Sequence, residues 1–386
     1  MKILLLSAYH AESHKHWCQG LIGQLPKYDW TLLSLPPRHF AWRVRGNSLS
    51  WGFSHADQLS SGYDLLIATS LVDLSALRGF VPALGRIPTL VYFHENQFAY
   101  PESGSQHSVL EAQIVNLYSA LCADRVVFNS AWNRDSFLVG VTGLLDKLPD
   151  QVPPGLPQKL LERSCLLPVG LDPVLFDGKR SGPGHKREII GRRPGKDSLI
   201  ISWAARWEYD KGPDRLLKIL RALDAKGLDF RLNILGRSFR RVPDAFGTIR
   251  REFASRLLTY GYVEVREAYL EILGDSDIIL STANHEFQGL AVLEGVACGC
   301  APVVPDALVY PQLFDSEHRY ESVEACVALL VKRQAQISAS RPGAQDNTLA
   351  PDVSLYSWRQ LAPRYEAIFD NLCKRRQVGQ VHLSVE

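Results

Sequence analysis

A chain of 386 residues is longer than one hydrophobic core ordinarily organises, so two domains of ordinary size are expected. Apolar residues at 46% and charged residues at 22% are the proportions of a folded globular protein and exclude long disorder as the default. The formal net charge of +2 neither demands nor excludes a polyanionic partner, and no apolar run approaches the roughly 20 residues needed to cross a bilayer.

Seven cysteines lie scattered without paired zinc-type spacing, and Met1-Lys2-Ile3-Leu4-Leu5-Leu6 lacks a long apolar segment with a cleavage site. Both features point to a reducing cytoplasm and away from export. Cys298-Gly299-Cys300 can be read as a metal or redox pair, but it falls where a helix should end at glycine, so two small buried thiols are expected.

In chain order the apolar pattern alternates strand and helix. The run Lys2–Tyr9 is followed by a helix over His14–Leu25, with Ser13 as a candidate N-cap. Further strands are expected at Trp30–Leu35, Asp64–Thr69, Thr89–His94 and Arg125–Asn129, with a helix at His107–Cys122. From Pro168 to Lys196 the pattern lapses into Pro, Gly and basic residues, read as a linker with a flexible basic loop. A second alternation follows, with strands at Leu199–Ala204, Phe230–Leu235, Asp277–Ser281 and Ala301–Val304. Helices are expected at Pro213–Lys226, Ala245–Leu257, Glu267–Leu273, Leu290–Ala297, Val323–Lys332 and Trp358–Lys374. The pattern predicts two α/β Rossmann-like, doubly wound domains facing across a cleft, with ligands at the carboxyl ends of their strands. Their bounds are 1–170, a linker at 171–196, 197–350, and a C-terminal segment 351–386 crossing back to the first domain.

The segment from His285 through Gly295 places Glu286 and Glu294 around a glycine turn, after a strand and at the start of a helix. The unpaired backbone N–H groups around Gly289, Leu290 and Ala291 favour an anion there, and the carboxylates are left to hold hydroxyls. On its own the spacing is equally that of a solvated helix face. Arg206 and Lys211, five positions apart on the loop after another strand, offer two positive charges to a departing diphosphate, although a solvated turn has the same pattern. Asp275-Ser276-Asp277 resembles a divalent-metal pair, but it precedes a strand, and no metal is required if Arg206 and Lys211 neutralise the diphosphate.

In the first half, His94, Glu95 and Asn96 follow a strand, with the imidazole and carboxylate expected exposed at its carboxyl edge. Ser13, His14 and Lys15 occupy the equivalent place after the first strand, where capping alone would also explain Ser13. Arg38, Trp42, Arg43 and Arg45 lie in a Pro-rich loop that interleaves basic and aromatic residues, a composition suited to phosphate contacts and base stacking or to a plain surface clamp. Arg237, Arg240, Arg241, Arg250 and Arg251 add positive charge beyond a later strand.

The Glu-x7-Glu segment, the Arg206/Lys211 loop and the two-domain plan resemble the retaining glycosyltransferases of family four, which have the GT-B fold. More specifically, Tyr92 through Pro101, the Arg38–Arg45 loop with Asn47-Ser48-Leu49, and His285 through Gly289 with Leu308 through Pro311 resemble the tRNA-queuosine alpha-mannosyltransferases. That resemblance implies transfer of mannose from GDP-mannose to the cyclopentenediol of queuosine at the wobble position of tRNA-Asp. It implies Arg206 and Lys211 as diphosphate contacts, Glu294 as ribose ligand, Glu286 on the donor sugar and His94 beside the reacting centre. Where the wider family often has Gly-Phe-Gly after the first Glu, this chain has Phe287-Gln288-Gly289. Three other readings remain: the same chemistry on a lipid or polysaccharide acceptor, a non-catalytic tRNA- or sugar-nucleotide-binding protein, or a GT-B-like epimerase, which would not need a nucleic-acid loop. An exposed amphipathic apolar patch near residues 40–55 would favour the lipid acceptor, and its absence would favour RNA.

Overall fold

The computed structural model describes residues 1–100, 109–176, 198–238, 241–339 and 349–383. The basic loop expected at 177–196, Arg240 and the first residues of the helix expected from His107 lie outside them. The chain divides into two compact units, Met1–Gly170 with Trp358–Glu386, and Leu171–Ser357.

The first unit runs β1 (Lys2–Ser7), α1 (Glu12–Gln24), β2 (Asp29–Ser34), α2 (Phe40–Ser54), α3 (Ala56–Leu59), β3 (Leu65–Thr69), α4 (Leu74–Phe80), β4 (Thr89–Phe93), α5 (Val109–Cys122), β5 (Arg125–Phe128), α6 (Ala131–Leu145), α7 (Leu156–Arg163) and β6 (Ser164–Leu166). The second runs β7 (Leu199–Ala204), α8 (Pro213–Ala225), β8 (Phe230–Leu235), α9 (Asp244–Glu252), β9 (Leu257–Gly261), α10 (Arg266–Gly274), β10 (Ile278–Leu280), α11 (Leu290–Ala297), β11 (Ala301–Pro305), α12 (Tyr310–Leu313), β12 (Arg319–Tyr320) and α13 (Val323–Ala339). The last helix, α14 (Trp358–Leu383), belongs to the first unit.

Each unit holds a six-stranded parallel sheet among its described residues, ordered β2-β1-β3-β4-β5-β6 and β12-β11-β10-β7-β8-β9. The strands are short apolar runs because helices cover both faces, and β3, β4 and β11 are buried along their whole length. The order reverses between β1 and β3 in the first sheet and between β7 and β10 in the second. At such a reversal neighbouring loops leave in opposite directions and open a crevice at the strands' carboxyl ends.

The C-terminal helix is tied to α1. Trp17 donates its indole N–H to Tyr365 Oη at 2.9 Å, and Tyr365 donates to the Pro168 carbonyl at 3.0 Å. Gly20 leaves room for the Trp358 ring, since a Cβ there would stand 2.2 Å from it. Gly20→Ala is therefore expected to overpack this contact at a cost of about 1–3 kcal/mol, lowering the melting temperature by a few degrees. An unchanged melt would contradict this docking.

Several expectations need correction. The Pro-rich Arg38–Arg45 loop is a loop only up to His39, and α2 takes the rest. Its buried face is Arg43, Val44, Gly46, Asn47, Ser48, Trp51 and Gly52, so the apolar period that announces a helix is missing. The helix α1 starts at Glu12 with Ala11 at its cap, so Ser13 is an exposed first-turn residue and not the N-cap. The helix expected to reach Leu257 stops at Glu252, and Leu257 opens β9.

Candidate functional site

At the reversal point of the second sheet, the loops leaving β7 and β10 are fastened to each other. The Asp210 carbonyl accepts from the backbone N–H groups of Asn284 and His285 at 2.8 and 3.1 Å. Thr282 takes the Trp203 indole N–H at 2.9 Å and donates its hydroxyl to the Lys211 carbonyl at 2.9 Å. Gly212 permits this closeness: at φ 66 it is left-handed, and a Cβ would lie 1.9 Å from the Thr282 carbonyl oxygen. Arg215, on the first turn of α8, donates to the carbonyls of Thr282 and Ala283 and to Asn284 Oδ1.

The fastening aims Lys211 at Glu286. Its Nζ donates to the His285 carbonyl at 3.0 Å and to Glu286 Oε2 at 3.2 Å, and lies 3.4 Å from Asp210 Oδ2. The other oxygen, Glu286 Oε1, accepts the N–H groups of Phe287 at 3.1 Å and Gln288 at 3.4 Å, and Gly289 contributes a backbone hydrogen bond to the carboxylate. Gly289, left-handed at φ 73, makes the turn into α11. The pocket here is lined by Trp203, Lys211, Glu286, Gly289, Ala291 and Tyr310, among others. A cation, a carboxylate and a helix N-terminus thus surround one concavity, an arrangement suited to a diphosphate with hydroxyls beside it.

Burial alone would push the Glu286 carboxyl up, but the Lys211 charge, the Gly289 backbone hydrogen bond and the Lys211 hydrogen bond together bring it down to about 2. It is ionised throughout the neutral range. Because the folded value is depressed, Glu286 contributes stability that is full above the unfolded value near 4.5 and is lost as pH falls through about 2. Acid titration of stability should therefore be shallower in Glu286→Gln than in the parent between those pH values. Equal acid dependence in both would contradict the pairing.

The other donor-side residues are placed unevenly. Leu290 is the first residue of α11, behind Gly289. Arg206 is 46% exposed, 2.7 Å from Glu208 and 3.8 Å from Asp210, and does not line the pocket. Glu294 is held by Arg266 at one oxygen and by the Tyr269 hydroxyl at 3.1 Å at the other. Burial first, then the Glu294 charge, raise Tyr269 well above its ordinary value and keep it a donor. Sequence reasoning did not assign Arg215, Arg266, Tyr269 or Tyr310 to the site. Only Tyr310 carried a signal, within the motif ending at Pro311; it bonds Ser281 at 2.6 Å, and its ring would lie 3.3 Å from a Cβ at Gly289. Asp277 accepts the Ile200 N–H at 3.0 Å, and the buried Cys300 thiol donates to the Leu273 carbonyl at 3.0 Å.

In the first unit, His94 was expected exposed and is buried. Its ring stacks on His14, centroids 4.0 Å apart, and lies against Trp17 and Tyr92. Burial, then His14 and His10, hold His94 well below its ordinary value, so it is a neutral imidazole. His14 Nε2 is 3.2 Å from Glu95 Oε2, which joins His14, His94 and Glu95 in one cluster. Asn96 is fully buried and bonds Asn133, Ser136 and the N–H groups of Phe98 and Ala99, so it holds its own loop. Lys15 is exposed.

On α2, Trp42 and Arg45 are exposed while Arg43 is buried. Arg45 pairs with Asp73 at 3.0 Å and approaches Glu111 at 3.7 Å. Trp42, Leu49 and Phe53 are exposed along the same helix, with Phe80 against Phe53. The sequence criterion of an exposed apolar patch near 40–55 is met. It favours an apolar acceptor, although the exposed Trp42 ring is equally suited to stacking a base.

Residues 2–171 match the family model described as tRNA-queuosine alpha-mannosyltransferase N-terminal, and residues 186–337 match glycosyl transferases group 1. A tRNA-queuosine alpha-mannosyltransferase of Drosophila melanogaster is 32% identical over 372 residues, covering 95% of this chain and 96% of that protein. A GDP-mannose-dependent alpha-(1-6)-phosphatidylinositol dimannoside mannosyltransferase of Mycobacterium tuberculosis is 27% identical over 141 residues, 35% of this chain and 36% of that protein. Among solved structures, a sucrose-phosphate synthase from Thermosynechococcus elongatus superposes with a TM-score of 0.69 at 14% identity, covering 96% of this chain and 99% of that one. HepE of Anabaena in complex with UDP and glucose gives 0.62 at 13%, covering 96% and 100%. These likenesses carry the fold alone, which is GT-B. The match over nearly the whole of both chains decides the family: this chain is a glycosyltransferase and belongs to the tRNA-queuosine alpha-mannosyltransferases.

Proposed function

We propose that the chain transfers mannose from GDP-mannose to the cyclopentenediol of queuosine at the wobble position of tRNA-Asp, with retention at the anomeric carbon. The observation that carries this reading is the similarity to the Drosophila protein, which runs through the first unit as well as the second. In the second unit, Lys211 and the N-terminus of α11 receive the diphosphate, and Arg206 adds charge from the loop edge. Glu286 takes sugar hydroxyls and Glu294 the ribose. The charge that develops on the leaving oxygen is met by Lys211, so the chemistry proceeds without a metal. This reading assigns no side chain as a covalent nucleophile. The acceptor hydroxyl attacks on the face the diphosphate leaves, and a leaving phosphate oxygen takes its proton. In the first unit, His14, His94 and Glu95 receive the acceptor diol, and the reaction takes place in the cytoplasm.

The exposed Trp42, Leu49 and Phe53 support a second reading, a lipid acceptor. Among the described residues no helix is long and apolar enough to cross a membrane. The test is incubation with sugar-labelled GDP-mannose and, separately, queuosine-containing tRNA, queuosine-lacking tRNA and phospholipid vesicles. Label in the first alone is expected. Label in the vesicles, or equal label in both tRNAs, overturns the proposal.

A further inference from the structure

Arg43 sits in the first turn of α2, is only 8% exposed, and has a buried Nε without a hydrogen-bond partner. Neither it nor Arg38, exposed five residues earlier, has a carboxylate within ion-pair distance among the described residues. The same helix start is uncapped: His39 occupies the cap in a left-handed conformation, φ 55, and makes no side-chain cap bond. Tyr9, two residues past β1, closes on Phe40 with ring centroids 5.7 Å apart. Burying a guanidinium with no carboxylate beside it is costly, and the neighbouring Arg38 adds a second positive charge, against which Tyr9 acts more weakly.

We propose that Arg38, Arg43 and the N-terminus of α2 form a site for one phosphodiester group of the nucleic-acid acceptor. The inference rests on the tRNA reading above and deepens it. Free N–H groups and the helix dipole supply half of an anion site, and the guanidinium fork supplies the other half. Burial first, and then the neighbouring Arg38 charge, lower the Arg43 guanidinium from its ordinary value, a repulsion that a phosphate would relieve. Arg45, by contrast, already has Asp73. RNA is favoured as the source of the phosphate because Trp42, 55% exposed, lies along the helix over Gly46, whose Cβ would stand 2.3 Å from the ring. It offers a flat surface for a base one turn from the phosphate.

The test is binding of a labelled anticodon stem-loop RNA over a range of salt concentrations. Arg38→Gln and Arg43→Met should each reduce the slope of log affinity against log salt by roughly 0.7 to 0.9, while Arg43→Lys retains it. Arg43→Met should melt no lower than the parent, because it removes an unpaired buried charge and keeps the stem. Unchanged slopes in both charge-removing variants overturn the site while leaving the tRNA reading intact. So does a large drop in the Arg43→Met melting temperature with Arg38→Gln unaffected, which assigns Arg43 to folding. Loss of binding to anionic phospholipid vesicles without loss of RNA binding assigns the phosphate to a lipid and also overturns the site. Parent protein that binds no RNA at all overturns the tRNA reading and the site with it.

Discussion

Lys211→Ala is expected to lower kcat by about 10²–10³-fold, the loss typical of removing one preorganised charge from a developing anion. The substitution removes two things at once. It deletes the proposed diphosphate cation, and it strips Glu286 of two of the causes that lower its pKa, leaving burial opposed mainly by the Gly289 backbone hydrogen bond. The Glu286 carboxyl should therefore titrate above its value of about 2. Since the proposed role needs the carboxylate, residual activity in Lys211→Ala should rise with pH across the weakly acid range, where the parent is flat with respect to this group. A kcat/KM profile of both proteins checks both statements. A variant with parental kcat would remove Lys211 from the reaction, and one with reduced kcat but no new acid limb would break its link to Glu286. Arg206→Ala should be milder, because Arg206 is half exposed and screened by water and by Glu208.

The second large effect concerns Gly212. Alanine there must accept a left-handed backbone, at about 1–2 kcal/mol, and must also displace the Thr282 carbonyl, 1.9 Å from the new Cβ. That carbonyl stands four residues before Glu286 and is one of the groups Arg215 holds. The displacement should move the carboxylate relative to Lys211, and a misplacement on the order of 1 Å costs roughly 10²-fold in rate. Gly227 provides the control. It is left-handed at φ 69, with nothing within 4 Å of a Cβ. Gly227→Ala should lose stability and keep its activity, whereas Gly212→Ala should lose both. Equal activities in the two variants would contradict the fastening of the two loops.

The alternation of strands and helices was legible because parallel strands covered on both faces read as apolar blocks. Boundaries at β7, β8, α8 and α11 fall within a residue of expectation for that reason, helped at α8 by Pro213 and at α11 by Gly289. Where burial is polar, the signal disappears. The buried face of α2 presents Arg43, Asn47 and Ser48, of which Asn47 and Ser48 bond backbone carbonyls, so no apolar stripe marks the helix. Short strands such as β6 and β12 are too brief to show a period. In the site, the Lys211 and Glu286 meeting followed from two motifs at the ends of adjacent strands. The Arg266 and Tyr269 grip on Glu294 did not, since a helix 25 residues away carries no local mark of its contact. His94 was misplaced because a histidine ending a strand looks like an edge residue until the aromatic cover from α1 is known.

The proposed reaction adds one hexose to queuosine in one tRNA. Purified tRNA-Asp carrying queuosine is treated with the protein and GDP-mannose, digested to nucleosides and analysed by mass spectrometry, beside other queuosine-bearing tRNAs and the Lys211→Ala variant. The expected product is a queuosine nucleoside heavier by one hexose, which an alpha-mannosidase releases, from tRNA-Asp alone and lost in the variant. Unmodified queuosine after full incubation, with the protein active on another acceptor, would contradict it.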